Sequence, residues 1–295
     1  MSFQVSFRFL PVRVRFISLM LLAMMGGTSR GEAQVIQIKP KAGACDRSMV
    51  DAAMEVSGLK YMGKSMSAEA GSMFAQMEQT LRARGRRLPA EERNEVFGMM
   101  QQAFRSDAVD EEIARSIRSQ CEPKIFTVAV EQLRTPIAVK MRGLEDRFNG
   151  SHSSSALSHY AAALEQHPPT ETREALAEAM EKTVHNADFT ADVGAQVVLA
   201  IYMVITGKAT DDGQLAEIRD RMMPAARKGA RLEFLMVYRS ATDEELDRYI
   251  MLLRTPELQR FQTIYKSAAE NAILRRTQIL AAMIKQHLDA RSSSR

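Results

Sequence analysis

The sequence predicts an all-α protein, a bundle of about ten helices in two related halves. Three observations predict it. Apolar residues recur at spacings of three and four along most of residues 45–290, the period of a helix with one buried face. The one almost wholly apolar run, residues 196–205, has no second strand-like run with turn signals beside it, so it reads as a buried helix. The tetrapeptide Leu-Arg-Thr-Pro occurs at 133–136 and again at 253–256, each time between two helical patterns. The 295 residues are 45% hydrophobic, 26% charged and 6% aromatic, with no Trp. That balance excludes a collagen-like, low-complexity or disordered chain and limits the number of compact domains to two.

Residues 1–33 read as a secretory signal. Arg8, Arg13 and Arg15 form the basic region, residues 16–27 the apolar stretch, and Gly31-Glu32-Ala33 supplies small residues for a cut between Ala33 and Gln34. The apolar stretch is shorter than the ~20 residues a membrane-crossing helix needs, so no transmembrane span is expected after cleavage. A lipoprotein signal ending at Cys45 fits less well, because Arg30, Glu32, Lys39 and Lys41 intervene. The segment carries four arginines against Glu32, so of the chain's net charge of +4 only about +1 remains beyond it. A nucleic-acid-binding domain would keep a concentrated positive field, and no nucleic-acid partner is expected. The resulting expectation is a periplasmic or secreted protein.

The only two cysteines, Cys45 and Cys121, both lie beyond the cut. An even count in an exported chain favours a disulfide over two buried thiols, and no C-x-x-C pair suggests redox work. The bond would close a long loop and contribute about 4 kcal/mol by restricting the unfolded chain.

The elements follow in order. Residues 34–44 lack a helical pattern. Met49, Ala53, Val56 and Leu59 mark a first helix with Gly58 as its stop. Residues 61–81 form a second, broken by residues 82–89. A third starts near Pro89, with Glu91 and Glu92 at its positive end. Residues 107–120, 125–133 and 137–148 follow. Residues 149–155, rich in Ser and Gly, read as a linker between a helical domain at 34–148 and a second at 156–290. In the second domain, helices are expected at 156–166, 171–184, 196–205, 214–223, 225–238, 244–253 and 257–288, with a disordered tail at 291–295. Thr242 and Glu245 have capping-box spacing, and Thr255-Pro256-Glu257 reads as a cap, a first-turn Pro and a dipole-compensating acid.

The two Leu-Arg-Thr-Pro copies lie 120 residues apart, and their neighbours also align: Phe126 with Leu246, Val130 with Ile250, Met141 with Phe261, Leu144 with Ile264, and Lys140 with Arg260. Each copy describes a helix, a tight turn, and a second helix that starts on a Pro whose missing N–H costs nothing there. Gly58 after an apolar helix, followed by Glu131-Gln132-Leu133-Arg134-Thr135-Pro136-Ile137-Ala138-Val139-Lys140, resembles a family of exported bacterial helical domains of unknown function. The resemblance covers roughly residues 50–145, with an echo at 244–268. It departs at Ala138, where a Gly is common, and in lacking an aromatic shortly before the Pro. It implies a periplasmic helical bundle and supplies no catalytic residues.

Chemistry-bearing patterns are few. Gly27-Thr28-Ser29-Arg30-Gly31 matches a nucleophile elbow but falls in the signal segment with no preceding strand. No Asp or Glu joins His152, His159 and His167 at i, i+4 spacing on one continuous helix, His167 being followed directly by Pro168, so no zinc set is completed and no metal or cofactor is expected. Of 20 methionines only four fall in the first 33 residues. Met62, Met66, Met73 and Met77 share a helix face, suited either to Cu(I) or to filling an irregular core or permissive groove, the second being the preferred reading. Arg82, Arg84, Arg86 and Arg87 form the sharpest charge cluster, read as a solvated loop or a weak partner-binding patch. Asn149-Gly150-Ser151 matches a glycosylation sequon, of little weight because the signal segment resembles a bacterial one. The leading functional expectation is a non-enzymatic exported protein that binds an envelope protein partner or an apolar or lipid ligand. Periplasmic copper handling and envelope hydrolysis are the alternatives.

Overall fold

A computed structural model describes residues 45–83, 89–150, 154–206 and 212–293. The signal segment, the nucleophile-elbow match and His152 therefore lie outside the described residues. All of the regular structure within them is helical: α1 (Arg47–Ser57), a 3-10 turn (Leu59–Tyr61), α2 (Met62–Ala83), α3 (Ala90–Ala103), α4 (Ser106–Gln120), α5 (Pro123–Leu133), α6 (Pro136–Gly150), α7 (Ser154–Gln166), α8 (Glu171–Val184), α9 (Asn186–Thr206), α10 (Asp212–Val237), α11 (Asp243–Leu253) and α12 (Pro256–Ser293).

Helix ends follow local chemistry. The Asp46 carboxylate accepts the Met49 N–H at 2.8 Å and starts α1, a bond that also holds its carboxyl below the usual range. Gly58 ends α1 at φ +76°. The capping box is formed: Glu245 N–H donates to Thr242 Oγ1 at 3.2 Å, and Thr242 N–H donates to Glu245 Oε2 at 3.0 Å. Pro89 sits one residue outside α3, which begins at Ala90.

Three expectations are corrected. The helices expected at 214–223 and 225–238 are one, α10, which runs through an exposed Pro224 because its packing along α9 outweighs one missing hydrogen bond. Of the linker expected at 149–155, residues 149–150 belong to α6 and 154–155 to α7, while 151–153 lie outside the described residues. The tail expected from 291 is helical through Ser293, there being no Gly or Pro after Pro256 to stop α12.

The two Leu-Arg-Thr-Pro hairpins have the same backbone. Arg134 lies at φ −90°, ψ −2° and Arg254 at φ −82°, ψ −5°. The following Thr N–H reaches back to the carbonyl of Gln132 or Leu252, at 3.2 and 3.1 Å. The hairpins then pack reciprocally, α5 on α12 and α6 on α11. Phe126 meets Phe261 edge-on at 5.0 Å, and Thr255 Oγ1 donates to Gln132 Oε1 at 3.0 Å. Lys140 pairs with Glu245 at 2.5 Å, and Arg260 Nε with Glu122 at 2.7 Å, tying each hairpin to the other from opposite sides. One buried apolar cluster, from Cys45 to Leu280, runs through residues on both sides of the linker.

Cys45, just before α1, is bonded to Cys121 at the end of α4, with Cα atoms 5.9 Å apart. Among the described residues no helix is long and apolar enough to cross a membrane.

Candidate functional site

Two places concentrate polar groups against the bundle. The first is a small cavity of about 40 Å³ between the hairpins. Its walls are partly pairs of aligned positions: Leu133 with Leu253, Ala138 with Leu258, Arg142 with Gln262, Glu145 with Tyr265. Glu145, 1% exposed, accepts hydrogen bonds from Tyr238 Oη at 2.6 Å, Tyr249 Oη at 3.1 Å and Arg142 Nη1 at 3.2 Å. Burial pushes its carboxyl up, while Arg142 and the two tyrosines pull it back. Burial works against the Arg142 charge, yet Glu145, Tyr265 and Asp146 hold the guanidinium above its ordinary value. Arg142 and Tyr265 both donate to the carbonyl of Ser57, at 2.8 and 2.7 Å. The space suits a water or two, and its polar groups are spent on one another. This network fastens α1 to the hairpins.

The second place is an open cleft of about 890 Å³ walled by α8, the start of α9 and α10. Glu171, Glu174, Glu178 and Glu181 fall on one face of α8 by helical spacing, opposite Arg227 and Arg231 one turn apart on α10. Arg231 Nε reaches across to Glu174 at 2.6 Å, and Lys182 pairs with Glu178 at 2.7 Å. Arg227 and Glu171 are exposed and have no bonded or charged partner among the described residues. His185 and Asp188 close the inner end.

That inner end is a sharp corner between α8 and α9. His185 adopts φ 44°, ψ 46°, the one left-handed non-glycine among the described residues. The Glu181 carboxylate accepts the Ala187 N–H at 2.7 Å and so caps α9. Lys266 of α12, 3% exposed, donates to the His185 carbonyl at 2.8 Å, with its ammonium 5.7 Å from the Phe189 ring centre. Arg219 of α10 holds both Asp188, at 3.2 Å, and Asp192. Burial dominates the titration here: it pushes Glu181 and Glu270 each up to about 7 and lowers Lys266 to about 8. Buried charged groups gathered behind a cleft make this corner a candidate site.

The other sequence candidates fall elsewhere. Met62 and Met66 are 2% and 1% exposed and belong to the core. Met73 and Met77 lie on α2, but their side chains are outside what is described. Arg82 is exposed, 3.7 Å from Glu78, which Arg93 also approaches at 2.9 Å; Arg84, Arg86 and Arg87 lie outside the described residues. His159 and His167 are exposed on α7 and just past it, and His287 faces Glu95 at 3.0 Å. No group of three or more His, Cys, Asp or Glu among the described residues is placed to hold a metal ion. Sequence reasoning missed Glu145, Glu181, Lys266 and Glu270. The available signal was a charge at a core-facing helical position: Glu145 follows Leu144, and Lys266 follows Ile264 and Tyr265.

The fold and its site define a disulfide-linked helical bundle with a charged cleft. No family model, curated protein or solved structure matches the chain.

Proposed function

We propose that this chain is an exported, non-catalytic helical protein that binds a basic segment of an envelope protein in the α8–α10 cleft. The observation that carries it is the row of α8 carboxylates lining an open cleft of about 890 Å³, in which Glu171 is unengaged while Glu174 and Glu178 are paired with Arg231 and Lys182. Its walls hold more carboxylates than cations, so a basic segment is the complementary occupant. Export rests on the charged and apolar halves of residues 1–33 and agrees with the Cys45–Cys121 bond. Membership of the exported helical family rests on the Gly58 and Thr-Pro features alone.

An apolar or lipid ligand has less support, because Met62 and Met66 are packed inside and the hairpin cavity is about 40 Å³. The copper reading loses the same two thioethers to the core. Hydrolysis keeps one favourable observation, His185 beside Asp188 at 3.5 Å on the wall of a polar cleft. Thr183, the hydroxyl next to this corner in sequence, is buried and bonded to the Ala179 carbonyl at 2.7 Å.

Titration of residues 34–295 with hexalysine and hexaglutamate peptides, followed by NMR, checks the reading. Hexalysine is expected to shift α8 and α9 amides at low salt. The Glu171→Lys, Glu178→Lys double substitution, on exposed positions, should weaken it about tenfold or more. Absence of any cleft response to hexalysine, or a stronger response to hexaglutamate, overturns it. Cleavage of a peptide during titration favours the hydrolytic reading instead.

A further inference from the structure

We propose that the His185 corner is a proton-operated latch on the cleft, closed when its opposed carboxylates take up protons and loosened when they are ionised. This rests on the cleft being the binding surface, because the corner sets where the cleft's inner wall stands.

The charges around Lys266 come from four helices. Glu181, at the end of α8, is opposed by Asp188 in the first turn of α9. Glu270, one turn along α12 from Lys266, is opposed by Asp192 of α9. Arg219 of α10 grips both aspartates. The other helices on α12 place their acids elsewhere: α3 brings Glu95 to His287, α4 brings Glu112 to Arg276, Glu122 before α5 meets Arg260, and Asp243 and Glu245 of α11 pair with Arg173 and Lys140. With Glu181 and Glu270 protonated, Asp188 and Asp192 are balanced by Arg219 and Lys266. With both ionised, two carboxylates are in excess, and each faces an aspartate across the junction that fixes α9.

The direction follows from linkage. Burial raises Glu181 and Glu270 in the closed corner to about 7, from an exposed value near 4.5. The closed corner therefore binds protons more tightly than an opened one. Their contribution is full below about 4.5 and is lost as pH rises through about 7. Lys266, lowered to about 8, runs the other way, but it stays cationic through this change. His185 Nδ1 also faces this corner, 3.5 Å from Asp188. The left-handed backbone at His185 and the fully buried Asn186, whose side-chain amide finds no partner among the described residues, mark the corner as a strained junction.

Native-state hydrogen exchange on the full chain tests this, corrected for intrinsic rates. The corner amides are Ala187, held by Glu181, and Phe189, bonded to the His185 carbonyl; the reference is Arg254 in the second hairpin, bonded to Ile250. Protection at the corner is expected to rise about tenfold between pH 7.5 and pH 5.5 while Arg254 stays level. In the Glu181→Gln, Glu270→Gln double substitution the corner should be equally protected at both pH values. Corner protection that is flat or falls on acidification overturns the latch, as does a rise that persists in the double substitution. Should that variant not fold, the native chain's corner-to-hairpin comparison decides alone. Exchange needs no ligand, so a latch that works without hexalysine binding fails only the cleft reading, and binding with flat exchange fails only the latch.

Discussion

Gly58 carries two demands at one position. Its φ of +76° suits a residue without a side chain, and a Cβ there would stand 1.4 Å from Arg142 Nη2. The guanidinium lies against bare backbone, which lets Nη1 reach the Ser57 carbonyl and Glu145 together. Gly58→Ala must therefore strain the backbone and expel Arg142, leaving Glu145 buried with two tyrosines. The expected loss is about 3 kcal/mol or more, read as a lower denaturation midpoint in urea with an unchanged slope. A loss under about 1 kcal/mol would mean that the helix stop is all that Gly58 provides.

At the scale of the element, the Thr-Pro hairpin was legible because its causes are local. A Pro that begins a helix, a Thr one residue earlier, and apolar residues in helical register mark the turn without any knowledge of the rest. The helix at 171–184 was legible for the same reason, with Thr170 capping it through its Oγ1 at 3.2 Å from the Arg173 nitrogen. Pro224 misled because its local tendency is real but α10 packs more extensively on α9 than on any other helix. The cleft was illegible. Glu181, Asp188 and Lys266 come from three helices, and no spacing in the chain announces that they meet. Pairing of the hairpins also makes their two threonines unequal. Thr135 Oγ1 donates to the Gln132 carbonyl within its own turn, at 2.7 Å, whereas Thr255 Oγ1 donates across to Gln132 Oε1. Thr255→Val should cost about 1 kcal/mol, and combined with Gln132→Ala should cost little more than either change alone. Additive losses in that double-mutant cycle would show the contact to be idle.

For the whole molecule, the disulfide and the buried network act on the same neighbour. Cys45 anchors the start of α1 to the end of α4, while the Ser57 carbonyl at the other end of α1 receives Arg142 and Tyr265. Opening the Cys45–Cys121 bond releases a loop whose ends are 76 residues apart in sequence, and the loss expected from chain entropy is about 4 kcal/mol. Thermal unfolding with and without reductant measures it. Because the far end of α1 stays bonded, the reduced protein should still melt in a single cooperative step. A separate early transition in the reduced protein would show that α1 depends on the sulfur bridge alone.

The paired hairpins play complementary roles. The first supplies the charges, Arg142 and Glu145; at the matching places the second offers Gln262 and Tyr265, and Ala129 stands where the other copy has Tyr249. Were the first hairpin to dimerise with its own twin, its carboxylate would enter the interior without a phenol to meet it. The second, joined to its twin, would have no carboxylate at that place to accept the Tyr249 hydroxyl. The two hairpins are a lock and its key threaded on one string, and neither can be replaced by a duplicate of the other.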